Sequence, residues 1–299
     1  MKHLSTDEIK ILLQFFPQGV VAFDLETTGL SPLVDKIIEI SAVKVTKDGV
    51  ETFDQLVNPE IKIPQFTIDI HHITDDMVKD SPKVAEVLPD FVKFIDNYPL
   101  IAHNAKFDVG FIIYDVLQNK LALQEAKVYC SCAISRRVFT DFPNHKLGTL
   151  VEKLEIPLEN HHRALDDARA CLQVFAKALI SYYKKRNNTK ILKDAFLFKT
   201  NSYGENQELN IPKHLKKLEV LVPAQEVFDI KYNGGSMKGK FRPVKPISLL
   251  PMPEGMILYA HCLTSDLYKS FAVKKISDFR ELSDEEKEYR LESLNLLNN

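Results

Sequence analysis

Three apolar stretches follow one another near the start of the chain: VVAFDLE at 20–26, KIIEISAVKV at 36–45 and VETFDQLV at 50–57, with Lys47, Asp48 and Gly49 between the last two. Runs of this length, rich in β-branched residues and joined by a tight turn, predict an antiparallel meander. The rhythm then changes. Helical stretches VAEVLPDFVKFIDNY and FDVGFIIYDVLQNKL flank the short apolar segment PLIAH, and AKVYC follows as a further strand. A long amphipathic segment, ALDDARACLQVFAKALISYYKK, ends in basic residues that suit the negative end of a helix. A meander followed by helix–strand alternation implies a mixed α/β sheet.

At 299 residues the chain is long enough for two domains, each with its own core. The segment 187–212 loses regularity and is rich in polar and turn-forming residues, so it reads as a linker between a domain at 1–186 and another at 213–299. Beyond it come short strands separated by turns: EVFDIKY, FRPVKPISLL, MILYAHC and LYKSFAVKKI. These predict a small β barrel or strongly bent sheet. The last segment, SDEEKEYRLESLNLLNN, opens with a Ser283 cap and an acidic first turn, which favour a helix start.

With 45% hydrophobic and 27% charged residues and a formal net charge of -2, the composition is that of a soluble globular protein without a global basic excess. The first residues lack the basic, apolar and small-residue regions of a signal peptide, and no apolar run reaches the length of a membrane span. A cytoplasmic location is expected. Cys130 and Cys132 form a CxC, while Cys171 and Cys262 stand apart in apolar surroundings, a pattern of buried free thiols rather than a disulfide framework or zinc site.

The first strand carries two carboxylates, Asp24 and Glu26. Residues two apart on a strand face the same side, about 6.5–7 Å from one another. No basic residue follows them until Lys36, so their mutual repulsion is offset by solvent, a more distant basic partner or a bound cation, of which a hard divalent cation is the economical explanation. Two further stretches share this character: IAHNAKFDVGF, with His103, Asn104, Phe107 and Asp108, and HHRALDDARA, in which His162 precedes Asp167 by five residues.

Together these stretches resemble the three motifs of the DEDDh, or DnaQ-like, exonucleases, in the right order and over about Val20 to Tyr183. Asp24, Glu26, Thr27, Thr28 and Gly29 match D-x-E-T-T-G. His103, Asn104, Phe107 and Asp108 match H-N-x-x-F-D, and His162, Ala164, Leu165, Asp167 and Ala168 match H-x-A-L-x-D-A. The resemblance implies an RNase H-like fold and a 3′→5′ exonuclease acting on nucleic acid with a free 3′ end. Single-stranded DNA is the favoured substrate and RNA the alternative, and a polymerase is a conceivable partner. It further implies that Asp24, Glu26, Asp108 and Asp167 hold two divalent cations, Mg²⁺ or Mn²⁺, which suit an all-oxygen donor set. His162 takes the proton of the attacking water in this scheme. Asp166 is left to the solvated face, and His161 is the competitor for the base role. Thr27, Thr28, Gly29, His103, Asn104 and Phe107 are the expected substrate-side residues, with His103 and Asn104 also suited to ordering the second motif. The segment IHHITDD resembles the family's H-G-I-T, except that His72 stands where glycine is usual.

The second domain more weakly resembles WYL domains, which are SH3-like or Sm-like barrels, through IKY at 230–232, FRPVKPISL, MILYAHC and KSFAVKKI. It departs from them in having no tryptophan, with Met256 and Ile257 at the name-giving pair and Lys269 in place of arginine. Residues 213–245 hold eight lysines and arginines against three acids, and Lys238, Lys240 and Arg242 are the expected nucleic-acid contacts. A regulatory binding protein acting through this domain is the rival of a different class.

Overall fold

The computed structural model describes residues 4–29, 32, 35–158, 163–203, 211–235, 237–252, 255–265 and 267–297. The chain divides into two compact units, Met1–Asn201 and Ser202–Asn299. Among the described residues no helix is long and apolar enough to cross a membrane.

The first unit opens with helix α1 (Thr6–Phe15), started by a reciprocal Ser5–Glu8 capping box. Strands β1 (Val20–Thr27), β2 (Ile37–Thr46) and β3 (Gly49–Leu56) follow, then helices α2 (Gln65–His71), α3 (Asp75–Val78) and α4 (Val84–Ile95). Alternation begins with β4 (Leu100–Ala102), α5 (Lys106–Gln118), β5 (Lys127–Cys130) and α6 (Ser131–Val138). The unit closes with α7 (Leu147–Lys153), α8 (Ala164–Arg186), α9 (Leu192–Ala195) and β6 (Phe196–Lys199). Its six strands lie in the order β3-β2-β1-β4-β5-β6. The meander is antiparallel, β4 and β5 run parallel to β1, and β6 is antiparallel to β5. This is the mixed sheet that the sequence predicts.

The core that fixes β1 is built by α8. Ala168, Cys171, Leu172 and Phe175 of α8 pack with Val20, Ala22, Val43 and Val45 of the sheet, and Leu12 and Phe15 of α1 join the same cluster. Burying side chains such as Phe175 and Leu172 contributes about 1.5–3 kcal/mol each, so β1 and α8 are held in one rigid body, and each carries part of the acidic cluster.

The linker reading needs correction. Part of 187–212 is ordered structure: β6 pairs Phe198 with Val128 and Lys199 with Lys127 at the sheet edge. The Thr200 hydroxyl accepts from the Ala126 amide at 2.8 Å and donates to the Gln124 carbonyl at 2.7 Å. A four-residue edge strand flanked by polar residues has too short an apolar signature to stand out. Residues 204–210 of the same segment lie outside the described residues.

The second unit contains α10 (Leu218–Leu221), β7 (Phe228–Tyr232), β8 (Phe241–Met252), β9 (Gly255–Cys262), β10 (Leu267–Ala272), β11 (Ile276–Glu281) and α11 (Asp284–Leu297). Its sheet is antiparallel in the order β10-β9-β8-β7-β11. The first part of β8 pairs with β7 and the rest with β9, with a register shift between Pro246 and Ser248, so one long strand serves two neighbours through a bend. Phe228, Ile230, Val244, Leu258 and Phe271 form its core with Leu215 and Leu218. Ser283 caps α11 as expected: its hydroxyl accepts from the Glu286 amide at 3.3 Å, and its own amide donates to the Glu286 carboxylate at 2.9 Å.

Candidate active site

Parallel pairing of β1 with β4 stops at Ala22 and Ile101, which leaves the carboxyl ends of both strands open side by side. Asp24 and Glu26 project there from β1. His103 and Asn104 turn the chain out of β4, with Asn104 in the left-handed region at φ 59, and Asp108 follows in the first turn of α5. Asp167 enters from the first turn of α8. Carboxylate oxygens of Asp24, Glu26 and Asp167 lie within 4.8 Å of one another. Asp108 joins these three in lining a pocket of about 500 Å³, together with Leu25, His103, Asn104, Phe107, Lys146, Leu147, Gly148 and Thr149.

The electrostatics are those of a site built for a cation. Asp108 and Asp167 are buried, whereas Asp24 and Glu26 open only partly to the pocket. Burial, reinforced by Asp108, Glu26, Asp167 and Glu39, drives the Asp24 carboxyl well above the ordinary range. Burial and the neighbouring acids Asp167, Glu39 and Asp108 raise Glu26 to about 8. Burial also raises Asp108 to about 8, against the opposing pull of backbone amides at its own position and Leu25. Two carboxylates at neutral pH in such a setting either keep their protons or find a counter-charge. An all-oxygen cluster with an open side fits a hard divalent cation.

A residue that sequence reasoning overlooked holds the third motif in place. Glu39 of β2 is 1% exposed and sits opposite Glu26 in the β1–β2 register. It accepts from Arg163 Nη2 at 2.6 Å and Nε at 3.1 Å, and from the Ala164 amide at 2.9 Å. The start of α8, and with it Asp167, is thereby tied to the sheet. A lone acid inside the apolar run KIIEIS is the signal that such a partner exists.

Asp166 pairs with Arg169 at 3.1 Å and has no place in the carboxylate cluster. His161 and His162 lie outside the described residues. Thr27 and Thr28 are buried and spend their hydroxyls inside the turn: Thr27 donates to the Gly29 carbonyl at 2.6 Å, and Thr28 accepts from the Lys36 amide at 2.9 Å. A Cβ on Gly29 would collide with the Asp35 carboxylate, so glycine here makes room for Asp35. His72 adopts φ 60 and ψ 14, a left-handed conformation that costs a non-glycine residue about 1–2 kcal/mol. The turn geometry expected of glycine is thus kept despite the substitution.

Both ring nitrogens of His103 are occupied. Nε2 lies 3.0 Å from the His145 carbonyl, which can only accept, so Nε2 carries the proton and Nδ1 accepts from the Ser131 hydroxyl at 2.8 Å. Burial lowers its pKa to about 4, which keeps the ring neutral. His103 lines the pocket but orders the wall around it. That wall, the segment 144–149, was also not singled out from sequence.

Comparison with known proteins agrees with this geometry. The exonuclease family model RNase_T matches residues 21–175. A PolC-type DNA polymerase III from Caldanaerobacter subterraneus subsp. tengcongensis is 45% identical over 160 residues, covering 53% of this chain and 11% of that protein. The Clostridium perfringens PolC-type DNA polymerase III is 34% identical over 264 residues, covering 85% of this chain and 18% of the relative. The chain therefore spans less than a fifth of the length of these relatives. In fold, a structure of exonuclease I aligns over 94% of this chain and 70% of its own, with a TM-score of 0.51 at 14% identity. The family model ends before the second unit, whose WYL resemblance rests on its sequence pieces alone. With its three motifs converging on one acidic pocket and the family model spanning residues 21–175, the chain belongs to the DnaQ-like, DEDDh exonuclease family.

Proposed function

We propose that the chain is a divalent-metal-dependent 3′→5′ exonuclease that removes nucleotides from single-stranded DNA ends. The observation that carries this reading is the convergence of Asp24, Glu26, Asp108 and Asp167 on one pocket, with three of the four carboxylates within 4.8 Å. Asp24, Glu26, Asp108 and Asp167 would hold Mg²⁺ or Mn²⁺. A bound pair of such ions supplies charge neutralisation at the attacking and leaving oxygens of a phosphodiester. Asp24 and Glu26 offer their carboxylates from the rigid central strand, and Asp108 and Asp167 close the cluster from two helices. Phe107 and Asn104 form the wall against which the terminal nucleotide rests. His162, one residue before the Arg163–Glu39 anchor, takes the proton from the attacking water. Lys238 and Lys240, both exposed on the second unit, give an additional phosphate-binding surface. The likeness to PolC-type polymerases supports a role beside DNA synthesis, with a polymerase as partner.

The test uses 5′-labelled single strands of DNA and RNA of one sequence, incubated with Mg²⁺ or chelator. A ladder shortening from the 3′ end, dependent on metal and lost by a factor of about 10²–10³ or more in Asp24→Ala and His162→Ala, is expected. DNA should be cut faster than RNA, and Lys238→Glu with Lys240→Glu should weaken strand affinity without lowering the maximal rate. Tight strand binding without hydrolysis would replace this reading with that of a binding protein, and preference for RNA would make the chain a ribonuclease.

A further inference from the structure

The pocket holds four carboxylates, yet its substrate is a polyanion. On the exonuclease reading, bound divalent ions would neutralise the phosphate being cut, and the next phosphate along the strand would need a cation of its own. Among the described residues that line the pocket, Lys146 is the one positively charged side chain, and it is exposed at the mouth. Its position is fixed by unusual means. The His145 carbonyl beside it accepts from His103 Nε2 at 3.0 Å and from the Cys132 thiol at 3.5 Å. The His145 ring meets Ser135 Oγ at 3.1 Å, and Ser135 in turn donates to the Cys132 carbonyl at 2.9 Å. The Lys146 amide donates to Asn144 Oδ1 at 3.0 Å, which shapes the turn that enters α7. On its other side His103 is held by Ser131, and Ser131 accepts from the buried Cys171 thiol at 3.3 Å. A chain of contacts thus links α8 and the end of β4 to the backbone at 145.

We propose that Lys146 grips the phosphate next to the scissile one, and that His103 is the positioning residue that sets its place. This rests on the exonuclease reading of the same pocket. Burial keeps His103 neutral through the working pH range, so the brace keeps its form there. The charge contributed by the wall is Lys146 alone, and its energetic signature is electrostatic. Each phosphate contact on a single strand adds about 0.7 to the slope of log affinity against log salt.

The experiment follows hydrolysis of the labelled DNA strand by the full chain with Mg²⁺ over a range of salt. Lys146→Met should raise KM about tenfold or more, leave kcat within about twofold, and reduce the salt slope by about 0.7. Lys146→Arg should restore most of the loss. His103→Asn removes no net charge, so an equal fall in salt slope, with no additional KM effect in the double variant, is the result expected if His103 acts through Lys146. An unchanged KM and slope in Lys146→Met would overturn the proposal. A His103→Asn variant that lowers kcat without touching the slope would overturn its second half, and unfolding curves establish that the variant is folded. If the wild type does not hydrolyse the strand, the exonuclease reading fails separately. Fluorescence anisotropy of the same strand then decides on Lys146, with equal affinity and slope in wild type and Lys146→Met counting against it.

Discussion

In the first unit four carboxylates gather at the carboxyl ends of β1 and β4 beneath a pocket of about 500 Å³, whereas in the second the buried charges among the described residues are the Asp229 carboxylate, paired with Arg280, and the Arg242 guanidinium inside the sheet. Arg242 is 4% exposed, and its Nε and Nη2 have no hydrogen-bond partner. It rests 5.8 Å from the Tyr232 ring centroid and 5.7 Å from that of Phe271. This corrects the expectation that Arg242 shares an exposed basic face with Lys238 and Lys240. Alternation decides it: Arg242 faces the same side as Val244 and pairs with Ile230, both in the core. Like charges are concentrated in one unit around an opening where a mobile counter-ion can enter. In the other, aromatic rings offset one buried cation by about 0.5–2 kcal/mol each. Buried charge signals a reactive site when it comes with convergence and access; without them it is a packing compromise.

The sharpest way to break this comparison is to titrate stability with and without metal. In chelator the folded chain keeps the Glu26 and Asp108 protons up to about 8, while the unfolded chain releases them near 4. Between these values the folded state binds more protons, so the stability contributed by these two groups is fullest below about pH 4 and falls as pH rises towards 8. Thermal unfolding should show this decline in chelator, and saturating Mg²⁺ should abolish it by binding the ionised carboxylates. Asp108→Asn should flatten the decline, raise the metal-free melting temperature and destroy hydrolysis. A metal-free protein whose stability climbs over the same range would mean that the carboxylates are compensated from within.

A smaller effect is expected in the second unit. Replacing a buried charged group by an apolar one of similar volume is neutral or stabilising by about 1–4 kcal/mol. Arg242→Met should therefore leave hydrolysis unchanged and unfolding by urea no easier. Destabilisation by more than about 2 kcal/mol would show that the guanidinium has an acceptor in solution, and would bring the two units closer in kind.

How much of this could be read beforehand follows from what kind of atom does the work. Asp24, Glu26, Asp108 and Asp167 line the pocket with side-chain carboxylates, so their identity and spacing were legible. The wall at 144–149 was not, because its anchor is the backbone carbonyl of His145, which any residue type supplies. His103 was legible as a motif position suited to ordering its surroundings, but its bracing of the wall at 144–149 was not, since only the structure shows both nitrogens already engaged. Glu39 lay hidden in an apolar strand although its charge demanded a partner. Thr28 and Gly29 were legible as a turn, while the packing of Asp35 against Gly29 depends on a contact six residues away. β6 was missed because an edge strand of four residues takes its stability from pairing with β5 rather than from its own pattern.

The most direct test of the central claim is to count the ions. Mn²⁺ binding to the metal-free chain, followed through the loss of the free-ion paramagnetic resonance signal, should be saturable and tighter as pH rises from 6 to 8, because binding must displace the retained protons. It should collapse in Asp24→Asn and Asp108→Asn and persist unchanged in Arg242→Met. Equal binding in all four proteins, or none in the wild type, would contradict the assignment of these carboxylates as the metal site.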